Sequence, residues 1–197
     1  MTRIVSIRED PRAASEDALE ALQGGGIILF PTETVYGLGV DPANTDAVKH
    51  LYVFKGRPKE KPFQWLIADA SQARAVSGGW DERAEKLAQA FWPGPLTLVV
   101  AVEGETVGWR VPDHEWLHGL LVKFGRPMIA TSANRSGEPP AKSCAEAFQH
   151  FGSDLALAVD GGLIKKGVAS TVVSLEPGEV KILREGAISE ASIRGAI

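Results

Sequence analysis

Short apolar runs recur along this chain, and stretches of helical periodicity lie between them. "GGIILF" (25–30), "PFQWLIA" (62–68), "LTLVVAV" (96–102), "LALAVDGG" (155–162), "STVVSL" (170–175) and "EVKILRE" (179–185) read as strands, and "PMIATSAN" (127–134) as a strand breaking into a loop. In "TVGWRVP" (106–112) alternation puts Val107, Trp109 and Val111 on one side and Arg110 on the other. Between them, "TDAVKHLYVF" (45–54) spaces Ala47, Val48, Leu51 and Phe54 on one helical face, with Thr45 or Asp46 as its N-cap. "DERAEKLAQAFW" (81–92) does the same with Ala84, Leu87, Ala88 and Phe91. "HEWLHGLLVKF" (114–124), "CAEAFQHF" (144–151) and the closing "SEASIRGAI" (189–197) read as further helices. Strands alternating with helices imply an α/β fold, a sheet of mixed direction with helices against it.

The chain has 197 residues, 44% of them hydrophobic, which suits one domain spanning 1–197. Its single cysteine, Cys144, excludes an internal disulfide and reads as a core residue. No apolar stretch reaches the roughly 18 residues of a membrane span. The charged start "MTRIVSIREDPR" lacks a signal core, so the expected location is the cytoplasm, with no membrane partner. A net charge of −4 argues against a dedicated nucleic-acid binder but leaves room for a local basic cleft.

Polar and basic residues gather where strands end, the usual place for ligands in open α/β sheets. After the first strand come Thr32, Glu33, Thr34 and Tyr36, a pattern that fits a capped tight loop as well as a site. Lys55 and Arg57 follow a helix, with Lys61 beyond. They fit either a complement to the helix dipole or a phosphate clamp of a planar fork and a mobile charge. "ATSANRSGEPP" (130–140) offers hydroxyls and an amide, which also suit turns. The run from Gly162 to Gly167 has phosphate-loop spacing, but Val168 stands where the lysine should be. Ser170 and Thr171 lead into a strand, and Lys165 and Lys166 read as solvated. His50, His114, His118 and His150 form no metal motif, so His114 and His118 are expected on a helix surface.

These stretches occur in one order: P-T-E-T-V-Y-G-L-G, K-G-R-P, R-V-P, T-S-A-N-x-S-G, S-T-V-V and I-L-R-E-G-A-I. The series resembles the YrdC/TsaC family of L-threonylcarbamoyladenylate synthases across residues 18–188. The resemblance implies a twisted mixed sheet, flanked by helices, around a basic concave cleft. It implies an enzyme that joins L-threonine, bicarbonate or CO2, and ATP into threonylcarbamoyl-AMP and pyrophosphate, with Mg2+ on the nucleotide. The product would feed a tRNA threonylcarbamoyl transferase complex that modifies adenosine beside the anticodon. Direct contact with tRNA is left open. The family's K-x-R and S-x-N tetrad falls on Lys55, Arg57, Ser132 and Asn134, as catalytic and ATP-binding positions. Its threonine-binding positions fall on Thr32, Arg110 and Ser170, and further ATP contacts on Thr171 and Arg184.

Two departures stand out. Longer members read P-L-I-V-H after the K-x-R motif, with the histidine on threonine. Here the run is Pro62-Phe-Gln-Trp-Leu66, so that contact is not carried over. Longer members also have a second domain, so the chain is expected to be of the single-domain type. The reaction needs positioning and charge neutralisation rather than a covalent intermediate. Lys55 and Arg57, read as cations of an exposed loop, should then serve activity and not stability. An RNA-binding module, or a paralogue with another carbamoyl transfer, is the alternative; pyrophosphate release that needs both threonine and bicarbonate separates them.

Overall fold

The structure, a computed structural model, describes residues 2–57, 61–135, 137–165 and 167–197, with Ser153 described by its backbone. Pro58 and Ser136 of the quoted motifs, and Lys166, lie outside the described residues. In chain order the elements are β1 (Arg3–Ser6), α1 (Pro11–Gln23), β2 (Ile28–Phe30), β3 (Gly37–Val40), α2 (Thr45–Lys55), β4 (Gln64–Leu66), α3 (Ala70–Arg74) and α4 (Glu82–Phe91). They continue as β5 (Leu96–Val102), β6 (Glu105–Arg110), α5 (Glu115–Phe124), β7 (Met128–Ser132), α6 (Cys144–Phe151), β8 (Leu157–Asp160), β9 (Thr171–Glu176), β10 (Glu179–Arg184) and α7 (Glu190–Arg194).

The strands form one 10-stranded sheet in the order β1-β8-β2-β3-β7-β4-β6-β5-β9-β10. It is mixed as expected: β4 and β5 pair in parallel with β6 and β9, while β3 and β6 run antiparallel to β7 and β5. Strand alternation then sorts the side chains. On one face, α2 and α6 pack over Leu29, Leu38 and Ile129. Farther along that same face, α3, α4 and α7 pack over Leu98, Trp109 and Val173. On the opposite face, α1 and α5 cover Ile28, Phe30, Leu66 and Met128. They stop there. Gln64, Thr97, Val99, Gly108, Arg110 and Val172 of the remaining strands are left facing a cleft. The site is therefore the open face of a half-covered sheet, and not a set of strand-end loops alone.

Two local expectations are corrected. The N-cap of α2 is Asn44, whose Oδ1 accepts from Ala47 N at 2.9 Å. Thr45 is already helical, so neither it nor Asp46 can turn its side chain back to the first free N–H groups. Lys55 does not follow that helix but is its last residue, and Gly56 caps it. His114 is likewise a cap, its Nδ1 accepting from Leu117 N, and His118 Nε2 lies 3.0 Å from the Ala68 carbonyl. Cys144 is buried, and burial pushes its thiol up to about 11, which keeps it a protonated core residue.

Candidate active site

The cleft encloses about 390 Å3. One end is built around Arg110. Its parity on β6 turns it away from Trp109 and Val111, as the alternation required, and it is only 3% exposed. Nε donates to the Gly94 carbonyl at 3.2 Å. Nη2 donates to Glu33 Oε1 at 2.6 Å and to Thr34 Oγ1 at 3.0 Å. A guanidinium has five N–H donors. The protein therefore holds three of them, leaving those on Nη1 for a ligand. Thr32 shapes the turn beside it: its hydroxyl donates to the Val35 carbonyl at 2.6 Å and accepts from Thr34 N and Val35 N. The turn reading of this stretch holds, and Thr32 also lines the cleft.

Tyr36 ties this turn to the next loop. Its fully buried hydroxyl accepts from Gly161 N at 3.0 Å and lies 2.8 Å from the Gly162 carbonyl. Burial raises its pKa well above the ordinary phenol value. Downstream, φ is +84° at Gly162 and +61° at Gly167, left-handed values that suit glycine. Among the described residues of this stretch no helix precedes β9, so none offers its N-terminus to phosphate.

Of the tetrad, Arg57 and Ser132 line the cleft, whereas Lys55 and Asn134 stand behind it. Lys55 is 4% exposed. Its ammonium donates to the Ser132 carbonyl at 2.7 Å, to Asn134 Oδ1 at 3.2 Å, and to the Asn134 carbonyl. Burial, reinforced by the nearby Arg57 charge, pushes it down to about 8. This corrects the reading of Lys55 as an exposed loop cation: it staples the S-x-N loop to the end of α2. Asn134 continues the staple, donating from Nδ2 to the Arg135 and Glu138 carbonyls at 2.8 and 2.7 Å. Arg57 donates to the Lys61 and Pro62 carbonyls and rests 5.2 Å from the Phe63 ring centroid.

Thr171 is a second correction. It is fully buried and does not line the cleft; its hydroxyl donates to the Ile188 carbonyl at 2.6 Å and accepts from Gly186 N and Ile188 N. As the first residue of β9 it faces away from Ser170, which does line the cleft. Arg184 reaches across from β10 and donates to the Ser170 carbonyl from Nε and Nη2, at 3.1 and 2.8 Å. Burial, then the Arg110 and Arg57 charges, lower its pKa. Three guanidinium groups thus share one cleft, and among the described residues only Arg110 has a carboxylate partner there.

The sequence reading missed Gln64 and Thr97, both on the cleft floor. The signal was present: each is a polar residue interrupting an otherwise apolar strand.

A family model described as Sua5/YciO/YrdC, telomere recombination, matches residues 20–186. A threonylcarbamoyl-AMP synthase of Bacillus subtilis (strain 168) is 39% identical over 199 residues, covering 95% of this chain and 57% of the relative. One from Vibrio cholerae is 37% identical over 158 residues, covering 74% of this chain and 84% of the relative. The crystal structure of Pyrococcus abyssi Sua5 complexed with L-threonine superposes with a TM-score of 0.91 at 35% identity. It is covered over 100% of this chain and 61% of its own, so the chain spans less than two thirds of that protein and of the Bacillus relative. A match of this extent, over the same residues that build the cleft, settles kinship: the chain belongs to the Sua5/YciO/YrdC family.

Proposed function

We propose that the cleft is the active site of a threonylcarbamoyl-AMP synthase, which condenses L-threonine, bicarbonate or CO2, and ATP and releases pyrophosphate. The observation that carries this is the unequal neutralisation of the three arginines. Arg110 is paired with Glu33 and offers Nη1 to one small carboxylate. Arg57 and Arg184 are held by backbone carbonyls, which orient them and leave their charge for a polyanion. An amino acid at the first end and a triphosphate at the second fit that division.

In this reading the threonine amine takes up CO2 to give N-carboxythreonine. A carboxylate oxygen then attacks the α-phosphorus in line with departing pyrophosphate. Arg57 and Arg184 stabilise charge on the phosphoryl oxygens, Ser132 contributes a hydroxyl, and Lys55 and Asn134 hold its loop in place. Thr32 and Ser170 border the amino acid. No cluster of metal-ligating side chains occurs among the described residues. The donor set does not fit a protein-held cation, and Mg2+ enters with the nucleotide as substrate. The product is an activated carbamoyl group for transfer to a tRNA adenosine. No helix among the described residues is long and apolar enough to cross a membrane.

The test is pyrophosphate release by the purified chain. It should require L-threonine and bicarbonate together with ATP; release independent of either would refute the reading.

A further inference from the structure

The cleft floor carries a hydrogen-bond chain that the roles above do not use. Gln64 on β4 and Thr97 on β5 are separated by β6, yet Thr97 Oγ1 lies 2.9 Å from Gln64 Oε1 and donates to it. They meet because the residue between them is Gly108, paired with Gln64 on one side and Val99 on the other. A Cβ there would stand 3.2 Å from Thr97 Cγ2 and 3.9 Å from Gln64 Cα. A larger side chain would fill the gap the contact crosses.

Proton counting gives the chain a direction. A hydroxyl has one proton. Thr97 gives its proton to Gln64, so across the 3.0 Å contact with Ser170 it is Ser170 that donates. Ser170 Oγ in turn accepts from Arg184 Nη2 at 3.1 Å. The chain runs from Arg184 through Ser170 and Thr97 to Gln64, and it starts at a group that can only donate. In the structure the acceptor at its far end is the amide oxygen. Oε1 is turned to Thr97, and the two N–H groups of Nε2 are left for the cleft that Gln64 lines.

We propose that Gln64 Nε2 binds the carboxylate built on the amino acid's nitrogen, which makes this stretch of floor the site for the oxygens derived from bicarbonate or CO2. The inference rests on the function proposed above. Arg110 lies two residues beyond Gly108 on β6, and Arg184 begins the chain. The amide therefore belongs to the same floor as the group assigned to the α-carboxylate and the group assigned to phosphate. A neutral donor suits this position. The carboxylate must keep an electron pair available for phosphorus, and an uncharged amide neutralises it less than a guanidinium or ammonium would. The steps balance without an oxidant or reductant. The ammonium and bicarbonate condense to the carbamate, water and one proton, with a C–N bond formed and a C–O bond broken. A carbamate oxygen then bonds to the α-phosphorus as the bond to the pyrophosphate oxygen breaks.

Two variants separate this role from a supporting one. Gln64→Glu keeps an acceptor for Thr97 but puts a negative oxygen where the N–H groups stood. Gln64→Met removes both functions at similar length. Pyrophosphate release is measured against bicarbonate, threonine and ATP in turn, with urea midpoints as a check on folding. The bicarbonate requirement should rise about tenfold or more in Gln64→Met, within the range seen when a hydrogen-bonding group is lost. It should rise further in Gln64→Glu, with the other two requirements within about threefold of the parent. Gln64→Glu performing like the parent while Gln64→Met fails would show that the amide only supports Thr97. An equal rise for all three substrates would also overturn the proposal. A parent chain whose pyrophosphate release ignores threonine or bicarbonate would instead bring down the function beneath it.

Discussion

The two basic regions of the cleft are built on opposite plans. At the Arg110 end a buried guanidinium is fixed by a carboxylate, a hydroxyl and a carbonyl, so its charge is largely compensated before any ligand arrives. By contrast Arg57, beside the start of β4, and Arg184, on β10, meet carbonyl oxygens, and burial without a carboxylate partner lowers their pKa values. Lys55, two residues before Arg57, belongs to neither plan: its charge is consumed inside the wall. Basic residues that look alike in a motif therefore divide into an arginine compensated by a carboxylate, arginines without a carboxylate partner and a structural lysine.

The largest effect expected from breaking this division is at Lys55. Lys55→Ala leaves the Asn134 carbonyl without its donor inside the wall, while the Ser132 carbonyl keeps Asn134 N, and one such unpaired group costs about 1–3 kcal/mol. Urea denaturation should show a loss of about 1–3 kcal/mol, more than an exposed lysine would give. A pH series sharpens the point. Because the folded pKa, about 8, lies below the ordinary 10.5, the unfolded chain binds more protons between those values. Stability should rise with pH across that window, by up to about 1.4 kcal/mol per unit, and Lys55→Met should lack that component.

At the charge-carrying end, Arg57→Ala and Arg184→Ala should raise the ATP requirement by about 10- to 150-fold, the loss of one charge-assisted contact. Arg57→Ala should shift the unfolding free energy by less than about 1 kcal/mol, since its bonds are to exposed carbonyls. Smallest in its effect on the cleft is Thr171→Val. It removes a buried hydroxyl with three partners, so a loss of about 1–3 kcal/mol in stability is expected, with threonine and ATP requirements unchanged in the folded enzyme. A kinetic effect without a stability effect would return Thr171 to the site.

How far the sequence revealed these roles depends on what each residue's pattern encodes. Parity on β6 was enough to turn Arg110 off the apolar face, and periodicity was enough to place α2 and α4. β3 was not legible, because "GLGV" holds two glycines in a strand that packs against the Phe30 ring. Nor was the inward turn of Lys55, since a lysine ending a helix reads the same whether it meets water or the carbonyls of a loop 77 residues away. The S-T pair beginning β9 shows the same limit. One hydroxyl faces the cleft and its neighbour faces the core, and only the register of β9 against β5 decides which.

The division of the cleft is tested most directly by calorimetric titration of L-threonine, without nucleotide, into the parent chain, Arg110→Lys and Arg57→Ala. A lysine cannot keep the bonds to Gly94, Glu33 and Thr34 while also offering a planar donor edge to a carboxylate. Arg110→Lys should weaken threonine binding by about tenfold or more, the loss of a charge-assisted bond, while Arg57→Ala stays within about threefold of the parent. Equal weakening in both variants, or a loss confined to Arg57→Ala, would contradict the assignment of one end to the amino acid and the other to the nucleotide.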